Sequence, residues 1–228
     1  MSDKQYNSRI SIQVSLSGYS FVAERDGAVS RSGWLPSGRL FTTLEFQHRY
    51  DLVELSLLTP KAALIPLHFF NPEYARASLE EVCRLRDSDF VEYVELPSYG
   101  AVLVYSNSID ESLSLAISRT VLDSGGNQSR ILPELYWMLR SVGECDGYNK
   151  ILASYKDGYL HLVIAQGKSL LLANVYEAVD FTTAEYFIFL AMKRLQLNPE
   201  ISSIWFRTML SDEQEMSLYR YFKAVDYI

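Results

Sequence analysis

The chain has 228 residues, 48% of them hydrophobic and 21% charged, which supplies one or two domains with a core and excludes a disordered chain. A net charge of −7 argues against a general nucleic-acid binder, which needs a basic footprint to displace counterions from phosphates, and against docking on anionic lipid. Apolar runs such as FIFLAM at 187–192 are too short to span a bilayer, the polar opening MSDKQYNSR has no apolar signal core, and Cys83 and Cys145 lack metal or redox spacing, so a cytoplasmic chain with two thiols is expected.

In chain order, ISIQVSL, YSFVAE and AVSRSGW read as three strands with Gly18 and Gly27 at the tight turns between them. Thr42 and Glu45 have capping-box spacing and Phe41 and Phe46 the spacing of a hydrophobic staple, which predicts a helix over about 41–51. VELSLL at 53–58 and ALIPLHFF at 63–70 are the next strands, and Pro66 marks the second as an edge or a bulge. Asn71-Pro72 opens a helix through PEYARASLEEVCRLR that places Tyr74, Leu79, Val82 and Leu85 on one face. A hairpin follows at 91–96 and 101–106, and Ser108 with Glu111 caps a helix to about 118. RTVLD is a short strand ending in Ser124-Gly125-Gly126, which lacks the lysine of a phosphate-binding loop and is a plain turn. Pro133 falls in the first turn of a helix to about 142, and the polar stretch from Gly143 to Gly147 is the expected boundary between halves. Beyond it come KILASY, YLHLVIA and SLLLANVY, a helix over about 182–195, the strand ISSIWF, a last helix capped by Ser211 and Gln214, and a final strand in KAVDYI.

FTTLEF at 41–46 returns as FTTAEY at 181–186, an offset of 140 residues (181 − 41). At that offset Gly18-Tyr19 matches Gly158-Tyr159 and Gly27 matches Gly167. Identities placed at turns and a helix start resist drift for steric reasons, so an internal duplication is expected, with Gly18 over Gly158 and with Thr42 and Thr182 as paired helix caps.

Each half thus reads βββαβ and continues into further α and β elements. Two such halves, residues 1–145 with a β/α insertion at about 60–106 and residues 146–228, resemble the actin-like ATPase fold, also called ribonuclease-H-like. RISIQVSLSGYSFVAE at 9–24 and SLLLANVYEAVDFTTAEYFIFLAMKRLQLNP at 169–199 are similar to an uncharacterised bacterial family expected to have that fold. Leu172, Asn174, Tyr176, Thr182 and Tyr186 match its pattern of a leucine-rich strand, Asn with an aromatic, and a helix bearing aromatics.

The resemblance implies where a nucleotide with magnesium would sit. In active members the turn between the first two strands of each half cradles a phosphate, with Asp-x-Gly and a nearby Ser or Thr. Here those turns supply Ser15, Ser17 and Gly18, with no Asp, and Asp157 and Gly158, with the Asp inside the turn. Tyr19 and Tyr159 are expected to crowd the phosphate path, and IWFRTMLSD, where paired glycines would line the adenosine pocket, contains none. A nuclease on this fold needs several carboxylates for two metals, and the first strand has only Ser11, Gln13 and Ser15 on one face; Glu45 and Glu185 read as caps. His48, His68 and His161 are isolated, with His161 a satisfied strand residue, and no nucleophile elbow is present. The expectation is a non-catalytic interaction or scaffold protein, without catalytic residues, metal or bound ATP, whose partner is another protein. The alternative is a nucleotide-binding ATPase or kinase-like enzyme with altered phosphate loops.

Overall fold

The computed structural model describes residues 7–107 and 111–228. Ser108, half of the expected capping box with Glu111, lies outside the described residues. In chain order the strands and helices begin with β1 (Ser8–Ser15), β2 (Gly18–Arg25), β3 (Ala28–Arg31), β4 (Leu52–Leu57), β5 (Ala62–Pro66), α1 (Ala75–Glu80), β6 (Glu92–Leu96) and β7 (Ala101–Tyr105). They continue with α2 (Glu111–Thr120), β8 (Ile131–Pro133), α3 (Glu134–Ser141), β9 (Asn149–Lys156), β10 (Tyr159–Gln166) and β11 (Ser169–Glu177). The chain closes with α4 (Phe181–Arg194), β12 (Ser203–Phe206), α5 (Asp212–Leu218) and β13 (Ala224–Tyr227). It divides into two units, Met1–Leu58 with Asn107–Pro133, and Thr59–Ser106 with Glu134–Ile228.

The two large sheets share one topology, β3-β2-β1-β4-β8 in the first unit and β11-β10-β9-β12-β13 in the second. Each is an antiparallel meander of three strands extended by two parallel strands on the far side of the first. Two-residue turns join the meander strands, and at Asp26-Gly27 and Asp157-Gly158 both residues have positive φ, as hairpin twist favours. β11 carries one irregularity, since Ile164 pairs with Leu172 and Ala165 with Leu170, leaving Leu171 as the extra residue of a bulge.

The repeat is therefore present, but its register differs from that expected. Ile10, Ile12 and Val14 enter the first core, and Ile151, Ala153 and Tyr155 line the second. On the next strand Tyr19, Phe21 and Ala23 correspond to Leu160, Leu162 and Ile164. Both sets differ by 141 residues (151 − 10; 160 − 19), so Gly18 corresponds to Tyr159 and not to Gly158. A slip of one residue would turn every side chain to the opposite face, so the buried face overrides the identities at the turns.

Half of the helical reading also changes. In the second half α4 forms as expected, with Ala184, Ile188, Ala191 and Met192 buried at helical spacing. Its cap is Asp180, which accepts from the Thr183 N–H at 2.7 Å, so Thr182 sits inside the first turn and caps nothing. In the first half no α-helix forms at 41–51; two 3-10 turns, Ser37–Thr42 and Leu44–Gln47, take its place. Thr42 donates to Arg39 O at 3.1 Å, and Glu45 accepts from the Ser30 hydroxyl at 2.9 Å, so neither caps a helix. Tyr19 and Tyr50 hold this segment in place, through Tyr19 Oη to Thr43 Oγ1 at 2.6 Å and Tyr50 Oη to Glu45 O at 2.9 Å.

The segment expected as an insertion makes a three-stranded antiparallel sheet, β5-β7-β6, with its own core of Ala75, Leu79, Val102 and Val104. α1 ends at Glu80, short of the expected extent, and Tyr74 and Val82 are exposed. The chain beyond it folds around buried Asp89, whose carboxylate takes the Arg86 N–H at 2.9 Å and pairs with Lys61. RTVLD is not a strand: Thr120 ends α2, and Asp123 takes the Asn127 N–H at 2.7 Å to close a turn. Pro133 ends β8 instead of opening α3, at a sheet edge where its missing N–H costs no ladder bond.

Candidate functional site

The two turns expected to hold phosphate differ in what their backbone is doing. In the first, Ser15 is buried, its Oγ accepts the Ser17 N–H at 3.3 Å, and the two hydroxyls lie 3.3 Å apart. The Tyr19 N–H donates to Leu35 O at 2.9 Å, and the Leu35 N–H returns to Tyr19 O at 2.7 Å. Gly18 has φ +138°, and a Cβ there would lie 2.0 Å from Leu35 O. Glycine is thus needed for the approach of the chain's own segment 35–36. Tyr19 does not crowd a phosphate path: it is fully buried, bonded to Thr43, with its ring 5.2 Å from that of Phe46. In the second turn Asp157 is exposed at φ 50°, next to Gly158 at φ 79°. The Gly158 carbonyl accepts from the Ala178 N–H at 2.7 Å.

The segment after β12, expected in place of an adenosine pocket, is tied into the second unit by side chains. Thr208 is buried and its Oγ1 accepts the Tyr155 N–H at 2.9 Å. Arg207 Nε donates to Glu134 Oε1 at 3.0 Å, and Nη1 donates to Ser141 Oγ at 3.2 Å. The same carboxylate oxygen accepts from Ser154 Oγ at 2.6 Å. Glu134 has no solvent exposure, so this ion pair is buried and hydrogen-bonded at several atoms, as a buried charge requires.

His161 lies on β10, fully buried, with Nε2 3.0 Å from Thr59 O. Burial holds its imidazole below the ordinary value; Glu134 and the backbone of Thr59 and Ser154 pull the other way. Cys83 and Cys145 are free thiols, and burial pushes Cys145 up to about 11, which leaves it a protonated, unreactive group at neutral pH. Among the described residues no three His, Cys, Asp or Glu side chains converge as a metal site would need, and no helix is long and apolar enough to cross a membrane. Sequence reasoning missed the Glu134–Arg207 pair; the available signal was two charges, each set among apolar neighbours in ILPELYW and IWFRTML.

A family model described as "Protein of unknown function (DUF3822)" matches residues 38–225. The chain belongs to that family. This DUF3822 chain is similar over its whole length to a solved protein of Bacteroides thetaiotaomicron with actin-like ATPase fold and unknown function, at TM-score 0.67 and 18% identity, covering 94% of that chain. It has the actin-like ATPase fold, in agreement with the repeated sheet topology. Weaker likenesses are to the PilM-PilN type IV pilus biogenesis complex, at TM-score 0.48 and 12% identity over 96% of this chain and 88% of that one, and to the Aquifex aeolicus PPX-GPPA enzyme, at TM-score 0.34 and 9% identity over 95% and 74%. No curated protein matches it.

Proposed function

We propose that this DUF3822 chain is a non-catalytic interaction or scaffold protein of the cytoplasm, built on an actin-like fold whose phosphate turns have been put to structural use, and that its partner is another protein. In that proposal residues 1–145 and 146–228 are the two lobes, with 60–106 an insertion. The carrying observation is the first turn: the Ser17 and Tyr19 N–H groups, which in an active member would face phosphate oxygens, donate to Ser15 Oγ and Leu35 O. Support comes also from the second unit, where Arg207 and Thr208 fill the stretch that a glycine-lined adenine pocket would use.

The test is steady-state phosphate release and calorimetric titration with ATP and magnesium. Both are expected at background. Asp157 is the one exposed acid in either turn and the informative control. Turnover abolished by Asp157→Asn would restore the ATPase or kinase-like alternative.

A further inference from the structure

β10 turns Leu160, Leu162 and Ile164 into the core under α4 and His161 to the opposite face, beside its cross-strand partner Ser154, whose hydroxyl bonds Glu134 of α3. His161 has no solvent exposure, and its Nε2 is the atom that meets Thr59 O. A carbonyl only accepts, so Nε2 carries the hydrogen and Nδ1 is bare. Nδ1 has no hydrogen-bond partner among the described residues.

That bond falls at the neck of segment 59–106, where both ends of the segment are buried and tied to each other. Thr59 and Ser106 have no solvent exposure. Thr59 Oγ1 donates to Ser106 O at 2.9 Å and accepts the Lys61 N–H at 3.1 Å, and the Ser106 N–H donates to Lys61 O at 2.9 Å. Further out, β5 lies beside β11, so the Nε2 bond anchors the neck itself and not the whole three-stranded sheet.

The charges around His161 allow it one state. The charged group that acts on it is Glu134 of α3, and Glu134 is already matched by Arg207, which follows β12; β9 and the neck offer the backbone of Ser154 and Thr59. With His161 neutral the cluster holds one anion and one cation. A proton on Nδ1 makes it two cations against one anion, with both Glu134 and His161 wholly out of water. A buried charge left over in this way is costly, and the relief is hydration of the imidazole. Burial already holds His161 below its ordinary value.

We propose that His161 is an acid-released pin at this neck: a proton on Nδ1 expels the imidazole from its buried place and frees Thr59 from β10 by a local opening, before the sheets come apart. In the opened form the ring is hydrated and titrates near 6.5. The opening constant is therefore flat above about 6.5 and rises by at most about tenfold per pH unit below it, as uptake of one proton dictates. The test is amide hydrogen exchange by NMR on the full chain from about pH 8 to about pH 5, corrected for intrinsic rates, with and without low urea. The Lys61 and Ser106 amides are expected to be less protected than those of Ile12 and Leu55, to be insensitive to low urea as a small opening is, and to lose protection below about pH 6.5. His161→Gln keeps a neutral N–H donor and removes that pH dependence. The double variant His48→Gln and His68→Gln, at two exposed histidines, keeps it. Neck amides that share the protection and urea dependence of Ile12 and Leu55 overturn the proposal, as does a pH dependence that survives His161→Gln or vanishes in the double variant. Should His161→Gln fail to fold, the imidazole resonances of the parent decide: a ring that titrates while the neck amides keep their protection is protonated in place, and overturns the pin.

Discussion

Gly18 shows how a residue can be read correctly and used for something else. Its position in a turn after a β-rich run was legible; its reason was not, because Leu35 is a nonlocal contact that no local pattern announces. Gly18→Ala drives a Cβ into a backbone oxygen at positive φ, and should cost on the order of 3 kcal/mol or more. Gly27, at φ +77° with open space around it, should cost only about 1–2 kcal/mol when replaced by Ala. Urea denaturation of both variants checks the order; equal losses would remove the Leu35 contact as the cause. His161 gives a pH dependence with a definite sign. Its folded value lies below the ordinary 6.5, so between the two the unfolded chain binds the proton more readily. Stability from this group is complete above about 6.5 and is lost as the pH falls below it, by at most ~1.4 kcal/mol per pH unit for one proton. His161→Gln should flatten the difference between urea midpoints near pH 7.5 and pH 5.5; an unchanged slope would assign it to other groups.

Among elements, strands were more legible than helices, for physical reasons. Alternation of period two with glycine at the turns reports a buried face directly, and β1, β2, β9 and β10 lie close to where that pattern puts them. Helix starts are a weaker signal, since Thr-x-x-Glu spacing is satisfied by chance and needs backbone N–H groups free to be capped. FTTLEF has the spacing, but Thr43 is extended at φ −74°, ψ 115° between two 3-10 turns, with its hydroxyl bound to Tyr19. In FTTAEY the cap is one residue upstream of the quoted motif. Asp180→Ala should therefore cost about 1 kcal/mol, and Thr182→Ala under about 0.5 kcal/mol. Thermal melts of the two variants check this; a larger loss at Thr182 would return the cap to it. At the last helix the same reasoning succeeded, since Ser211 and Gln214 form both bonds of a capping box.

For the whole molecule, the fold class was legible because two halves repeat one order of elements, and the repeat survives even though its register moved by a residue. The site was less so. Ser17, Asp157 and Gly158 are in turns and Ser15 ends β1, but what their neighbours do to them depends on partners far along the chain, as does the pairing of Arg207 with Glu134, 73 residues apart. One detail of the second sheet bears on how the protein behaves in concentrated solution. β11 ends its sheet with β5 packed beside it, and reads SLLLANVYE, a nine-residue leucine-rich strand of the kind that recruits further strands into fibrils wherever its edge is left uncovered. The extra residue Leu171 kinks and twists that edge, which spoils it as a flat template. Deleting Leu171 should straighten β11, and light scattering at high concentration should then rise with time while the parent stays clear. Colloidal shelf life would in that case hang on a single leucine whose presence contributes nothing to the core.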